Sequence, residues 1–103
     1  MIDTAAIEEH LAWEASKHGL LVIEQTGEAG WPRWLVIGDN NVHGFIELTA
    51  PSALTEVQLH RIDSLVRHGH VARCTDSTRK VDAFVDSLVL RRKYNQVMAQ
   101  GHP

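Results

Sequence analysis

Two apolar runs, "WLVIG" at 34–38 and "VHGFIEL" at 42–48, are separated only by Asp39, Asn40 and Asn41. A link that short cannot carry a crossover, so the runs must lie side by side as antiparallel strands. Asp and Asn accept the left-handed backbone that a tight turn demands. The first run is apolar at consecutive positions, which marks an interior strand. A further apolar run, "LLVIE" from Leu20 to Glu24, precedes it across the loop "QTGEAGWP". Gly and Pro punctuate that loop. A meander of three strands is therefore the centre of the fold.

Helical signals flank the meander. Thr4 is placed to cap a helix reaching about His18, with Ile7, Leu11, Ala15 and His18 on one stripe and Gly19 as its stop. Thr55 and Gln58 form the T-x-x-Q pattern of a capping box. The helix that follows runs to about His68 and carries Val57, Leu59, Ile62, Leu65 and Val66 as its apolar side. Gly69 ends it, and "HVARC" at 70–74 reads as a fourth strand. Ser77 caps a last helix in which Val81, Phe84, Val85 and Leu88 recur at helical spacing. After Leu90 the chain turns polar, and "RRKYNQVMAQGHP" reads as a frayed helical extension. One domain over 1–90 and an extension over 91–103 follow from that change. The order is αβββαβα. The third and fourth strands are joined through a helix, so they should run parallel by a right-handed crossover. The fold class is α/β, a mixed sheet flanked by helices.

The length of 103 residues suits one small domain. No apolar run approaches the ~20 residues that span a bilayer. The start, "MIDTAAIEEH", has neither the basic residues nor the apolar core of a signal peptide. A cytoplasmic protein with no membrane partner is the expectation. Cys74 is the single cysteine, which excludes an internal disulfide and a cysteine-based zinc site. Ten Lys and Arg against thirteen Asp and Glu give a net charge of −3, unlike the basic excess of a dedicated nucleic-acid binder. The seven His are scattered, apart from His68 and His70, which read as a solvated pair at a strand end.

The motifs, taken in order, resemble a small stand-alone VRR-NUC domain, a branch of the PD-(D/E)xK nucleases. That branch has an N-terminal helix bearing a Glu, then G-x-P-D, E-L-K-x-P, L-(S/T)-x-x-Q and G-(H/Y)-x-V before a final helix. Here stand Glu8 or Glu9, "GWPR" at 30–33, "FIELTAP" at 45–51, "LTEVQ" at 54–58, "HGHVARC" at 68–74 and "KVDAFVDSL" at 80–88. The resemblance covers nearly the whole chain and implies a PD-(D/E)xK nuclease-like fold.

In such enzymes the Asp and Glu hold a divalent ion through hard oxygen ligands. The ion activates a water and screens charge on the scissile phosphate. The Lys, two residues past the Glu, shares its face of the strand and steadies the reacting phosphate. The resemblance places Glu9 (or Glu8), Glu47 and Gln58 at surviving positions. It also places Arg33 where the Asp belongs and Thr49 where the Lys belongs. An Arg at that place should pair with Glu47 and satisfy it without metal. Asp39 cannot substitute, because it lies about five residues, roughly 16 Å, along the hairpin from Glu47. Glu24 and Glu28 are the candidates for a shifted site. The vestigial set is thus Glu9, Arg33, Glu47, Thr49 and Gln58, with no catalytic residue, metal or cofactor expected; magnesium enters only if the site has shifted.

Trp31, Arg33, Trp34 and Arg61, with the basic run Arg91, Arg92 and Lys93, are the candidate binding residues. Trp34 also reads as core, Trp31 as a loop closure, and the basic run as a solvated helix end. The resemblance implies a pseudonuclease of phage or mobile-element type that acts by binding protein, in the manner of an anti-CRISPR inhibitor. The partner would be a host nuclease or defence complex. It also implies a homodimer. The alternatives are a metal-dependent endonuclease with a shifted site and a non-catalytic branched-DNA binder, with DNA binding expected to be weak.

Overall fold

The computed structural model describes residues 4–28 and 30–100. Helix α1 spans Thr4–Lys17, and the strands β1 (Leu21–Glu24), β2 (Trp34–Gly38) and β3 (Val42–Glu47) follow. A single 3-10 turn at Pro51–Ala53 leads into helix α2 (Glu56–Arg67). Strand β4 (Val71–Cys74) and helix α3 (Thr78–Gln100) complete the chain. The strands form one sheet in the order β1-β2-β3-β4. β1, β2 and β3 are antiparallel neighbours, and β3 pairs with β4 in parallel. The meander and the crossover expected from the sequence are both present. Asn40 and Asn41 take φ of 58° and 62°, the left-handed turn that joins β2 to β3.

The row Val22–Val36–Gly44–Val71 crosses all four strands on one face. Ile46 and Val42 lie on the same face of β3, and both are buried. Ile7, Leu11 and Ala15 of α1 complete this core with Val81, Phe84, Val85 and Leu88 of α3. Gly44 explains how α3 sits so close. A Cβ there would stand 2.9 Å from the Phe84 ring and 3.0 Å from Leu88. The absent side chain is the space the helix fills.

Two expectations need correcting. α2 buries no residue, and Val57, Leu59 and Val66 are about half exposed. α2 packs mainly on β4, so much of its apolar stripe is left uncovered. The segment after Leu90 is not a frayed end either. α3 passes unbroken through position 90 to Gln100. Arg92 donates to the carbonyl of His18 at 2.8 Å, one of the acceptors left open at the end of α1. Asn95 donates to the carbonyl of Asn40 at 2.8 Å, in the β2–β3 turn. These bonds tie the polar stretch to the body. The projecting helix gives a radius of gyration of 14.1 Å, above the ~13 Å typical of this length.

Candidate functional site

The candidate site gathers at the end of the sheet where β2 begins and β3 stops. Trp34 pairs with Ile46, so Arg33 falls opposite Glu47. Both carboxylate oxygens of Glu47 are occupied. Oε1 accepts from the backbone N–H of Arg33 at 3.0 Å. Oε2 accepts from the Thr49 hydroxyl at 3.0 Å. Thr49 lies two residues on from Glu47, so their side chains emerge on the same side of the extended chain. The pattern that positions a catalytic Lys in the nuclease motif here delivers a hydroxyl to the neighbouring carboxylate.

The Arg33 side chain goes elsewhere than expected. Its guanidinium bonds Glu24 at 3.1 Å, pairs with Glu8 at 3.5 Å, and lies 5.2 Å from the centre of the Trp34 ring. It does not pair with the Glu47 carboxylate. The reason is local competition. Glu24 pairs across the sheet with Trp34, directly beside Arg33, and α1 brings Glu8 to the same point. Glu47 already has its donors, so the fixed charge settles between the two carboxylates that have none. On α1 it is therefore Glu8 that reaches this cleft. Glu9 is exposed and lines a shallow hollow with Ala6, His10 and Trp13 on the outer side of α1.

Gln58 is spent on the helix cap. Its side chain accepts from the N–H of Thr55 at 2.8 Å, and its own N–H donates to Thr55 Oγ1 at 3.1 Å. The candidates for a shifted metal site are also engaged: Glu24 by Arg33, and Glu28 by Arg61 at 3.6 Å. Where the nuclease motif has a ligand Asp and a Lys, a tethered guanidinium and a hydroxyl stand, so the motif's own magnesium ligand pair is incomplete.

Beside this cleft lies an aromatic shelf. Arg61 covers the Trp31 ring at 4.3 Å, a cation–π contact. Together with Glu56, Val57, His60 and Ser64 they line an open hollow of about 580 Å³. Gly30, at φ +100°, sets Trp31 against α2; a Cβ there would fall 2.4 Å from Val57 Cγ1. Trp31 and Arg61 thus come together beside the cleft. Trp34 is half-buried and packs against the core. Arg91, Arg92 and Lys93 do not join them. Arg92 lies beside Gly38 and His18, and Asn95 reaches Asn40, so the basic run belongs to the hairpin end of the sheet.

His70 pairs with His43, not with His68: the two rings meet at 3.1 Å, Nε2 to Nδ1, with Phe45 edge-on to both. His68 instead meets the carbonyl of Ser64 at 2.7 Å. Burial pushes the Cys74 thiol up, Glu47 adds to the rise and Lys80 opposes it. Sequence reasoning missed a contact between the first and last helices, His10 to Asp82 at 2.6 Å.

These elements define an α/β protein built like a PD-(D/E)xK nuclease, with a mixed sheet whose hairpin carries the motif positions. A solved structure described as a VRR_NUC domain matches it with a TM-score of 0.66 at 21% sequence identity. The match covers 80% of this chain and 92% of that one. No protein-family model and no curated protein matches the chain. The likeness supports the VRR-NUC resemblance read from the motifs and shows the fold; the function must be argued from the site. Among the described residues no helix is long and apolar enough to cross a membrane.

Proposed function

We propose that this chain is a pseudonuclease, a VRR-NUC-type scaffold that binds and does not cut. One observation carries the reading: Glu47 has both oxygens engaged by the Arg33 N–H and the Thr49 hydroxyl, while the Arg33 guanidinium sits between Glu8 and Glu24. A dication entering there would have to break those bonds and face a fixed positive charge. The binding surface is the shelf of Trp31 and Arg61 beside the cleft. Aromatic and Arg side chains are the residues that anchor protein interfaces. A net charge of −3 favours a protein partner over a nucleic acid. The resemblance suggests a host nuclease or defence complex, which the chain would inhibit from the cytoplasm of a bacterial host.

The test combines two assays on the purified chain. Branched and supercoiled DNA should remain intact with magnesium or manganese present. Protein captured from host lysate should depend on Trp31 and Arg61. Metal-dependent cleavage that is lost in Glu24→Gln or Glu28→Gln would establish the shifted-site enzyme instead. Tight, salt-sensitive binding to branched DNA without cleavage would establish the junction binder.

A homodimer is favoured by a separate observation. Leu90, Tyr94, Val97 and Met98 are 69%, 62%, 60% and 48% exposed. Their spacing makes them one stripe along the projecting half of α3. Ala83 and Ser87 continue that stripe toward the body with small side chains. An antiparallel second copy would set the large half of one helix over the small half of the other. In that register Asp86 faces the other copy's Lys93, so charge and shape agree.

A further inference from the structure

Outside the nuclease cleft, α1 and α3 bring together a second group of metal-ligating atoms. His10 and Glu14 lie one turn apart on α1, and Asp82 reaches them from the second turn of α3. One ligand atom from each lies within 4.8 Å of the others. His10 Nε2 and Asp82 Oδ1 are 2.6 Å apart. The side chains are 28% (His10), 14% (Glu14) and 46% (Asp82) exposed, so one side of the group is closed by protein and the other is open to solvent.

We infer that His10, Glu14 and Asp82 form a zinc site that fastens α1 to α3. Four arguments converge. The spacing i, i+4 places two donors on one helix face, the arrangement that lets a single ion take both. The platform is rigid, because Ile7, Leu11, Val81 and Val85 are fully packed in the core between the same helices. Two carboxylates converge on one imidazole, and Glu14 is the more enclosed of them. Among the described residues Glu14 pairs with Lys17 at 3.0 Å, a half-exposed side chain that an ion can displace. The donor set of one imidazole nitrogen and two carboxylate oxygens then selects the metal. It suits zinc, while magnesium prefers oxygen and its own waters. Zinc takes the Nε2 lone pair of neutral His10 and one oxygen from each acid, with water in the fourth position. The Nε2–H proton that neutral His10 shares with Asp82 moves to Nδ1 as the ion enters, which frees the Nε2 lone pair.

The site is independent of the pseudonuclease reading, since none of its residues touches Glu47. It has a consequence for that cleft all the same. Glu8, which pairs with Arg33, is carried on the helix that zinc would fasten.

The experiment is a zinc titration of the untagged, metal-stripped chain, followed by calorimetry and thermal melting. One zinc per chain should bind, and the melting temperature should rise by about 5 °C or more in zinc excess and fall back with chelator. Magnesium at millimolar concentration should do nothing. His10→Ala should abolish the shift, and Glu14→Gln and Asp82→Asn should each weaken binding at least 10-fold. Asp82→Asn can still accept from His10, so it guards against a variant that merely misfolds. Cobalt in place of zinc should give visible absorption that disappears in His10→Ala. The double variant His43→Ala, His70→Ala tests the other histidine pair and should bind zinc normally. Absence of any zinc shift in the unmodified chain, or a shift that survives His10→Ala and is lost in the His43/His70 variant, overturns the assignment.

Discussion

The backbone N–H of Arg33 donates to Glu47 at 3.0 Å, while the side chain of the same residue turns away to Glu24 at 3.1 Å. Arg33 thus acts twice. Its main chain donates to Glu47, and its guanidinium pairs with two acids on other elements. Replacing it tests both functions. Arg33→Asp keeps the N–H to Glu47 but sets a carboxylate against Glu8 and Glu24. Like charges in one cleft repel unless a cation enters. The variant should melt lower than the native chain without metal and recover with magnesium, as scanning calorimetry with and without the ion will report.

Thr49 holds the other Glu47 oxygen, and its contribution is separable. Thr49→Val removes the hydroxyl at nearly constant shape. Loss of one half-buried hydrogen bond costs about 1 kcal/mol, which for a domain of this size lowers the melting temperature by roughly 4–8 °C. Thr49→Ser should retain most of the native value. Equal melting temperatures for all three would show that the Thr49–Glu47 bond contributes nothing to stability.

Gly30 positions the aromatic shelf. Gly30→Ala forces a side chain onto a backbone at φ +100° and into contact with Val57 at 2.4 Å. Strain of this kind costs about 1–3 kcal/mol. The expected outcome is a less stable protein whose Trp31 fluorescence shifts toward that of a solvent-exposed indole, while the secondary structure read by circular dichroism is unchanged.

On α3, Tyr94→Glu and Leu90→Lys place charge on the exposed stripe without touching the core. Light scattering should give twice the chain mass for the native protein and the single mass for the double variant. A native monomer at high concentration would count against the pairing.

Cys74 is the one thiol, and burial raises it above its ordinary value of 9.0. A thiol held protonated is a poor nucleophile, so alkylation at neutral pH should be slower than for a free thiol. The sign for stability follows. The folded state favours the neutral form, so this contribution is complete below pH 9 and declines as the pH rises through the folded value. Cys74→Ser should flatten that alkaline decline in a series of melts.

The meander, the crossover and the cap at Thr55 were legible because each rests on local chemistry. Asn40 and Asn41 permit one kind of turn, and Thr55 with Gln58 permits one kind of helix start. The Arg33–Glu47 neighbourhood was legible too, since counting from the turn fixes the register. The direction of the Arg33 side chain was not. It depends on Glu8 and Glu24, which are distant in sequence and compete for the same charge. The end of α3 was misjudged because polarity was taken as fraying. The spacing of Leu90, Tyr94, Val97 and Met98 was the available signal, and the bonds from Arg92 and Asn95 are tertiary. His10, Glu14 and Asp82 needed the packing angle of two helices, which no local pattern supplies.

Whether the Glu47 cleft takes a catalytic metal is read most directly by a magnesium and manganese titration centred on that cleft. Calorimetry should be run on the native chain and on the double variant Arg33→Asp, Thr49→Lys, each in the His10→Ala background so that only the cleft can respond. The native cleft should give no heat and no change in melting temperature at millimolar ion, and the double variant a magnesium-dependent rise. Millimolar binding to the native cleft that is lost in Glu47→Gln would contradict the pseudonuclease reading.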